Sequence, residues 1–241
     1  GFNPEGIARL DATRKHGRRC SAAVAHLRPA LARGNITLLT KAQVVKINMT
    51  GNSVSGVTFK HKGKIHSVEA NKEVILSGGA INSPHILMIS GIGPSDHLRE
   101  HGIDVHVDLP GVGQNLQDHS CVILQYECKK SFPIHKVNQP HRKLATGIRW
   151  VFTRKGIGAS NIWEAGGLIR SSSKAAYPDI QYHFGPVGFE YDDNKISLLQ
   201  AFAIHVDQLR PRSRGQITLK SASPLEKPLM TFNYLQDPED L

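Results

Sequence analysis

The stretch from Glu73 to Gly93, EVILSGGAINSPHILMISGIG, restricts the fold more than any other part of the chain. Glu73-Val-Ile-Leu-Ser77 is a short apolar run that ends on Gly78-Gly79, as buried strands of α/β sheets do. Small residues at a strand end let the backbone approach a bulky ligand closely. Ser83-Pro84 then reads as the start of a helix that runs through Ser90 and is stopped by Gly91-Ile92-Gly93. The free N–H groups of such a helix start can face an anion or the polar edge of a ring. The segment is therefore a strand, a turn and a helix shaped for a ligand at their junction.

The flanking chain supplies further elements. Arg14 to Ala32 reads as one helix, with Pro29 set to bend it. Ile36 to Thr40 and Gln43 to Asn48 read as strands. Gly51-Asn52 marks a hairpin turn into strands Val54 to His61 and Lys64 to Glu69. A short helix is expected from Ser95 to His101. After Asp118 the pattern turns β-rich. Strands are expected at Val122–Glu127, Trp163–Ile169, Ile180–Phe184, Leu199–Val206, Gln216–Leu219 and Met230–Asn233. Lys129 to Arg142 reads as a loop or lid, and Leu144 to Phe152 as a helix. The expected architecture is thus an α/β portion over residues 1–120, then an α+β portion with an antiparallel sheet and flanking helices over 121–241.

Composition removes several classes. Of 241 residues, 39% are apolar and 21% charged, which excludes collagen, a disordered tail and a coiled coil. No apolar run nears the roughly 18 residues a membrane span needs. The 30 Lys and Arg exceed the 20 Asp and Glu, but the surplus is dispersed and no aromatic residues interleave its densest cluster, Arg14 to Arg19. We therefore expect a basic surface rather than a nucleic-acid site. Three cysteines without metal spacing argue against a disulfide framework and for a reducing compartment. The first residue is Gly, and the chain stops at Asp237-Pro238-Glu239-Asp240-Leu241, which reads as a helix cap and first turn. A segment of a longer protein is the expectation.

Four motifs carry a resemblance. Gly79, Ala80, Ser83, Pro84, Leu87, Met88, Ser90, Gly91, Ile92 and Gly93 each stand where the second signature of the glucose-methanol-choline (GMC) oxidoreductases places them. Leu109-Pro-Gly-Val-Gly-Gln-Asn-Leu-Gln-Asp-His119 resembles the family's PGVGxNLQDH block. Arg210 to Leu219 resembles its RPxSRGxVxL strand, and Phe232 to Leu241 is similar to the stretch that follows. The likeness covers nearly the whole chain. In Leu124–Lys129, Gly158–Asn161, Glu164–Ser171 and Pro178–Phe184 it is nearest to the choline-oxidising members.

The resemblance implies an FAD enzyme that takes a hydride from an alcohol carbon, here choline, with a Rossmann-like FAD-binding portion over 1–120 and a substrate domain over 121–241. Electrons would pass to an acceptor such as a quinone, in the cytoplasm or at the inner face of the membrane, with a peripheral membrane contact. For the cofactor it implies the backbone of Val44 against the adenine. Ser77, Gly78 and Ala80 would lie along the adenosine and diphosphate, and Asn115, Asp118 and His119 in a loop over the flavin. For the substrate it implies Glu164 facing the trimethylammonium group, with Tyr182 and Phe184 as aromatic walls. Trp163 and Glu164 fall on opposite faces of a regular strand, so one pocket holds both only if a bulge intervenes. The family's GxGxxG and its catalytic His have no counterpart here, so no catalytic residue is assigned. A dehydrogenase for aliphatic or aromatic alcohols, and a chain that is not itself catalytic, remain open at this point.

Other residues have plainer readings. Val44 alone is an ordinary strand valine, and Asn115 and Asp118 are turn formers. His183 reads as core or pocket wall and His205 as a satisfied core histidine. Cys121 and Cys128 read as small packing residues. No histidine pair has the spacing and carboxylate company of a metal site.

Overall fold

The computed structural model describes residues 4–130, 134–192 and 195–241. In chain order its elements begin with β1 (Gly6–Arg9), β2 (Arg14–Lys15) and β3 (Arg18–Arg19). A wide helical turn at Ala23–Leu27 leads into α1 (Arg28–Leu31). Next come β4 (Ala42–Thr50), β5 (Ser53–His61), β6 (Lys64–Glu69), α2 (Gly79–Ile89), β7 (Ile92–Gly93), α3 (Ser95–Glu100) and β8 (Val107–Asp108). The second half holds β9 (Cys121–Glu127), α4 (Pro140–Thr153), β10 (Ala165–Ile169), β11 (Ile180–Gly185), β12 (Gly188–Asp192), β13 (Lys195–Leu199), β14 (Ala201–Gln208), β15 (Gln216–Thr218) and β16 (Leu229–Thr231). No helix among the described residues is long and apolar enough to cross a membrane.

The chain forms two compact units. One comprises Gly1–Thr37 with His119–Arg210, the other Leu38–Asp118 with Pro211–Leu241. A break at 118/119 lies beside the expected boundary at 120. The chain also crosses between units at 37/38 and 210/211, where the sequence shows no composition shift.

The unit of residues 1–37 and 119–210 is built on a five-stranded antiparallel sheet in the order β1-β10-β11-β14-β9. Its register sets His183 opposite His205, and Cys121 opposite Asp207. The β12–β13 hairpin was not expected: the sequence reading placed a strand at Leu199–Val206 and none at Gly188–Asp192 or Lys195–Leu198.

The unit of residues 38–118 and 211–241 packs α2, α3 and β15 around Met88, Leu98, Ile217 and Leu219, beside the antiparallel sheet β4-β5-β6. Ser90, fully buried at the end of α2, ties helix to sheet. Its Oγ donates to the Ile86 carbonyl at 2.6 Å and accepts from the Ile47 N–H at 2.9 Å. A buried hydroxyl is tolerated when both its roles are filled.

Several sequence expectations fail for physical reasons. Arg14 to Ala32 is not one helix. His16 and Gly17 have φ of 50° and 67°, the left-handed pair that closes a two-residue hairpin, so Arg14–Arg19 folds back on itself. Ile36–Thr40 and Glu73–Ser77 form no strand among the described residues, and Ile75 is 76% exposed. An apolar run becomes a strand only where a ladder partner reaches it. Pro84 does not open α2, which begins one turn earlier at Gly79. Pro84 therefore lies inside the helix, where it removes one i→i−4 hydrogen bond rather than marking the start. The expected α/β character itself stands, since the described residues form mixed sheets and helices, with parallel pairing among them at Ile92–Gly93 with Val107–Asp108 and antiparallel pairing elsewhere. The end of the chain caps as read, with the Asp237 carboxylate accepting from the Glu239 N–H.

Candidate functional site

The first candidate is a cavity of about 370 Å³ in the unit of residues 38–118 and 211–241. Ala80, Ser83, Pro84 and Leu87 of α2 form one wall, the loop Gly111–Gln117 another, and Ile217 closes it. The start of α2 carries no side-chain cap, so its first N–H groups are left for another acceptor. The loop passes so close to β15 that Gly113, at φ 82°, has no room for a side chain. An added Cβ would sit 2.3 Å from the Ile217 carbonyl oxygen. Asn115 also takes a left-handed φ, of 62°.

The expected cofactor residues divide. Ala80 and Asn115 share this cavity, whereas Ser77 and Gly78 lie just before α2 and do not line it. Val44 lies in β4 at a register shift, where a bulge interrupts the ladder between Val44 and Lys46. The Asp118 carboxylate accepts from the Tyr234 hydroxyl at 2.5 Å, and this bond holds the phenol above its ordinary pKa. His119 belongs to the other unit.

The second and third candidates lie in the unit of residues 1–37 and 119–210, on the two faces of its sheet. Phe184 and His183 are neighbours in β11 and so face opposite ways, as do Trp163 and Glu164 where the chain enters β10. On one face, Glu164 and Phe184 share a cavity of about 1200 Å³ with Arg9, Arg14, Arg154 and Lys155. Arg9 and Arg14 each bring a guanidinium nitrogen within 3.9 Å of the Glu164 carboxylate, which is 43% exposed. Tyr182 lines neither cavity. Phe184 packs against Phe202, ring centres 5.7 Å apart.

On the other face, a cavity of about 410 Å³ is lined by Trp163, His183, His205 and Asp207, with Leu10, Asp11 and Asn161. His183 Nδ1 lies 2.8 Å from Asp207 Oδ2. Trp163 meets His205 edge to face at 4.7 Å. Cys121 Sγ stands 3.7 Å from His205 Nδ1, and burial with the nearby Asp207 pushes the thiol up to about 11, so it stays protonated. His205 is not the satisfied core histidine the sequence suggested, because its buried Nε2 has no hydrogen-bond partner. Sequence reasoning missed Asp207 altogether. The only available signal was its spacing of two from His205, which puts both on one face of a strand.

One histidine cluster does have a carboxylate companion, contrary to the sequence reading. His97, Glu100 and His101 of α3 place their ligand atoms within 4.8 Å of one another. The geometry argues against a metal there. His97 Nε2 accepts the Leu219 N–H at 2.9 Å, so the proton of the neutral ring sits on Nδ1, the nitrogen that faces Glu100 at 3.8 Å. His101 Nδ1 is engaged with the His97 carbonyl.

Comparison with known proteins bears on these cavities. Residues 1–121 match the family model described as GMC oxidoreductase. The chain is 45% identical over 240 residues to the oxygen-dependent choline dehydrogenase of Staphylococcus xylosus and 43% identical to that of Staphylococcus haemolyticus. All of the chain is covered in both, but only 43% and 42% of those relatives, so it spans less than half their length. A formate oxidase of Aspergillus oryzae, solved as a variant to study FAD modification, superposes with a TM-score of 0.85 at 26% identity, over 98% of this chain and 45% of its own. A pyridoxine 4-oxidase from Mesorbium loti gives a TM-score of 0.77 at 26% identity, over 98% of this chain and 43% of its own.

Proposed function

The chain belongs to the GMC oxidoreductase family, and on that premise we propose that it serves as the central portion of an FAD-dependent enzyme that oxidises choline to betaine aldehyde. The observation that carries the choline reading is the identity of 43% and 45%, sustained along the whole chain, to proteins named oxygen-dependent choline dehydrogenase. That span includes the five-stranded sheet of the unit of residues 1–37 and 119–210.

The residues present fit part of an FAD site. The uncapped start of α2 offers N–H groups to a diphosphate or a ring edge. Gly79, at φ 78°, has open space where a side chain would project, so backbone can meet the cofactor directly. Ala80 and Ser83 would lie along it, and the Gly111–Gln117 loop would cover it, held down by Gly113 against β15. Ser77 and Gly78 would extend the contact, and the bulged backbone at Val44 would meet the adenine. When bound, the flavin supplies the hydride acceptor that no side chain can be. Oxidation removes a hydride from the carbinol carbon and a proton from the hydroxyl, and no residue of this chain is assigned the base. The protein's part in these residues is to hold the cofactor, orient the alcohol and recognise its charge. The names of the Staphylococcus relatives favour oxygen over a quinone as the final acceptor.

The test is anaerobic flavin absorbance in the full-length gene product. Choline should bleach the flavin at lower concentration than a simple alkanol. Bleaching by the alkanol alone would replace choline with a neutral alcohol, and a protein without flavin would sink the reading. Admitting oxygen, then a quinone, to the reduced sample identifies the acceptor.

A further inference from the structure

A quaternary ammonium has no N–H to donate and is held by the field of an anion and by aromatic faces. In the cavity of about 1200 Å³, Glu164 is the one carboxylate of the lining and Phe184 supplies an aromatic face. That carboxylate already has cations beside it. Arg9 reaches its Oε2 and Arg14 its Oε1, each at 3.9 Å. An incoming ammonium therefore meets Glu164 as a rival of the chain's own guanidiniums. The apparent affinity of such a site falls by the fraction of carboxylate left to the ligand.

The two arginines are held differently. The Arg9 side chain is 72% exposed, that of Arg14 only 38%. Arg14 stands on the hairpin of residues 14–19, whose turn is fastened to α4. Trp150 Nε1 donates to the Gly17 carbonyl at 2.8 Å, and Gly17 packs so closely on the Arg154 carbonyl that no side chain fits there. The Arg154 guanidinium covers the Trp150 ring at 4.3 Å. From this base Arg14 Nη1 donates to the Ala159 carbonyl at 2.9 Å. At 3.9 Å the same nitrogen is beyond hydrogen-bond reach of Glu164. The Ala159 carbonyl thus anchors the guanidinium, and the carboxylate feels its charge. The ion pair can open while Arg14 keeps a partner.

Glu164 is fixed at its main chain. Its N–H donates to the Ile162 carbonyl at 3.0 Å, and its carbonyl accepts the Leu10 N–H at 2.9 Å. Ile162 itself sits at φ 74°, a conformation that a β-branched residue keeps only where its surroundings impose it. Glu164 therefore turns between Arg14 and a ligand by its side-chain torsions.

We propose that Arg14 is a built-in competitor of the substrate cation: its guanidinium screens Glu164, and choline binds by taking the carboxylate over from it. The proposal rests on the choline reading above. It assigns Arg14 to specificity, because the exchange acts on a cationic alcohol and has no counterpart for a neutral one.

The experiment follows anaerobic bleaching of the flavin-loaded full-length protein by choline and by its neutral carbon isostere, 3,3-dimethylbutan-1-ol. Arg14→Gln should lower the half-saturating choline concentration about threefold, the range of a partly exposed ion pair, and shift the isostere less. Arg14→Met, which keeps the stem and drops the charge, should act in the same direction. Arg14→Lys, which keeps the charge, should shift choline less than Arg14→Gln does. In a Glu164→Gln background the effect of Arg14→Gln on choline should shrink, because the contested carboxylate is gone. Flavin content and circular dichroism of each variant confirm that it has folded. A rise in half-saturating choline in both uncharged variants, an equal change for the two alcohols, or the same shift with and without Glu164 would overturn the assignment. Bleaching by choline that ignores Arg14→Gln removes the exchange and keeps the choline reading. Choline that bleaches no variant removes both.

Discussion

The cavity under the Gly111–Gln117 loop and the cavity around Asp207 are built by different means. The first is made mainly of backbone. Its loop is fixed because Gly113 leaves no space between two main chains, and its polar groups include the N–H groups of a helix start. The second is made of side chains brought into register by strand pairing, His183 against His205 and Cys121 against Asp207. A backbone site depends on contiguous residues and is written as a motif. A side-chain site on a sheet depends on residues far apart in sequence, and its pattern is visible only once the strands are aligned.

The sharpest way to break this comparison is a methyl group. Gly113→Ala drives a Cβ into the Ile217 carbonyl and demands a left-handed φ from alanine. Urea unfolding should show a loss of about 3 kcal/mol or more. A loss under about 1 kcal/mol would mean the loop shifts freely and is no rigid cover. The matching change on the sheet, Gly185→Ala, meets the edge of the Trp163 ring at 2.8 Å rather than a main chain. The ring can tilt, so the cost should be nearer 1 kcal/mol. The signature should instead be a changed Trp163 emission. An equal stability loss at both glycines would erase the distinction between the two cavities.

The smallest effect is expected from pH. Burial lowers the pKa of His97 below its ordinary 6.5, and the charge of His101 lowers it further. The unfolded chain therefore binds a proton there before the folded one does. Stability from His97 is complete above about pH 6.5 and declines as pH falls toward the lowered folded value. Protonation of Nε2 would also break the bond from the Leu219 N–H. His97→Gln, whose amide oxygen can still accept that bond, should reduce the slope. His85, lowered by burial alone, should account for part of what remains. An unchanged slope in the variant would show that His97 titrates alike in both states.

Much of the backbone site was legible in the sequence. Gly79-Ala80, Ser83-Pro84 and the Pro110–Asp118 block carried both the family and the location of the cavity. The residues of the β-sheet were less legible. Glu164 stood out because it sits in a motif, yet the two arginines that surround it come from residues 9 and 14, and nothing in the local sequence announces them. The helix expected over Arg14–Ala32 hid this, because a helix would have carried Arg14 in a different direction from the hairpin that forms. Glu73–Ser77 was misread for a related reason, since apolarity marks what a segment would bury and not whether a partner is there.

By itself the sequence determined the family, the strand-and-helix content of most segments and the places where only glycine fits. These follow from local preferences and from motifs that act through contiguous backbone. Tertiary structure alone decided which charges share a cavity. It set two guanidiniums against Glu164 and none in the lining around Asp207, because electrostatic environment depends on distance in space, and strand pairing brings together residues that the sequence keeps more than a hundred positions apart.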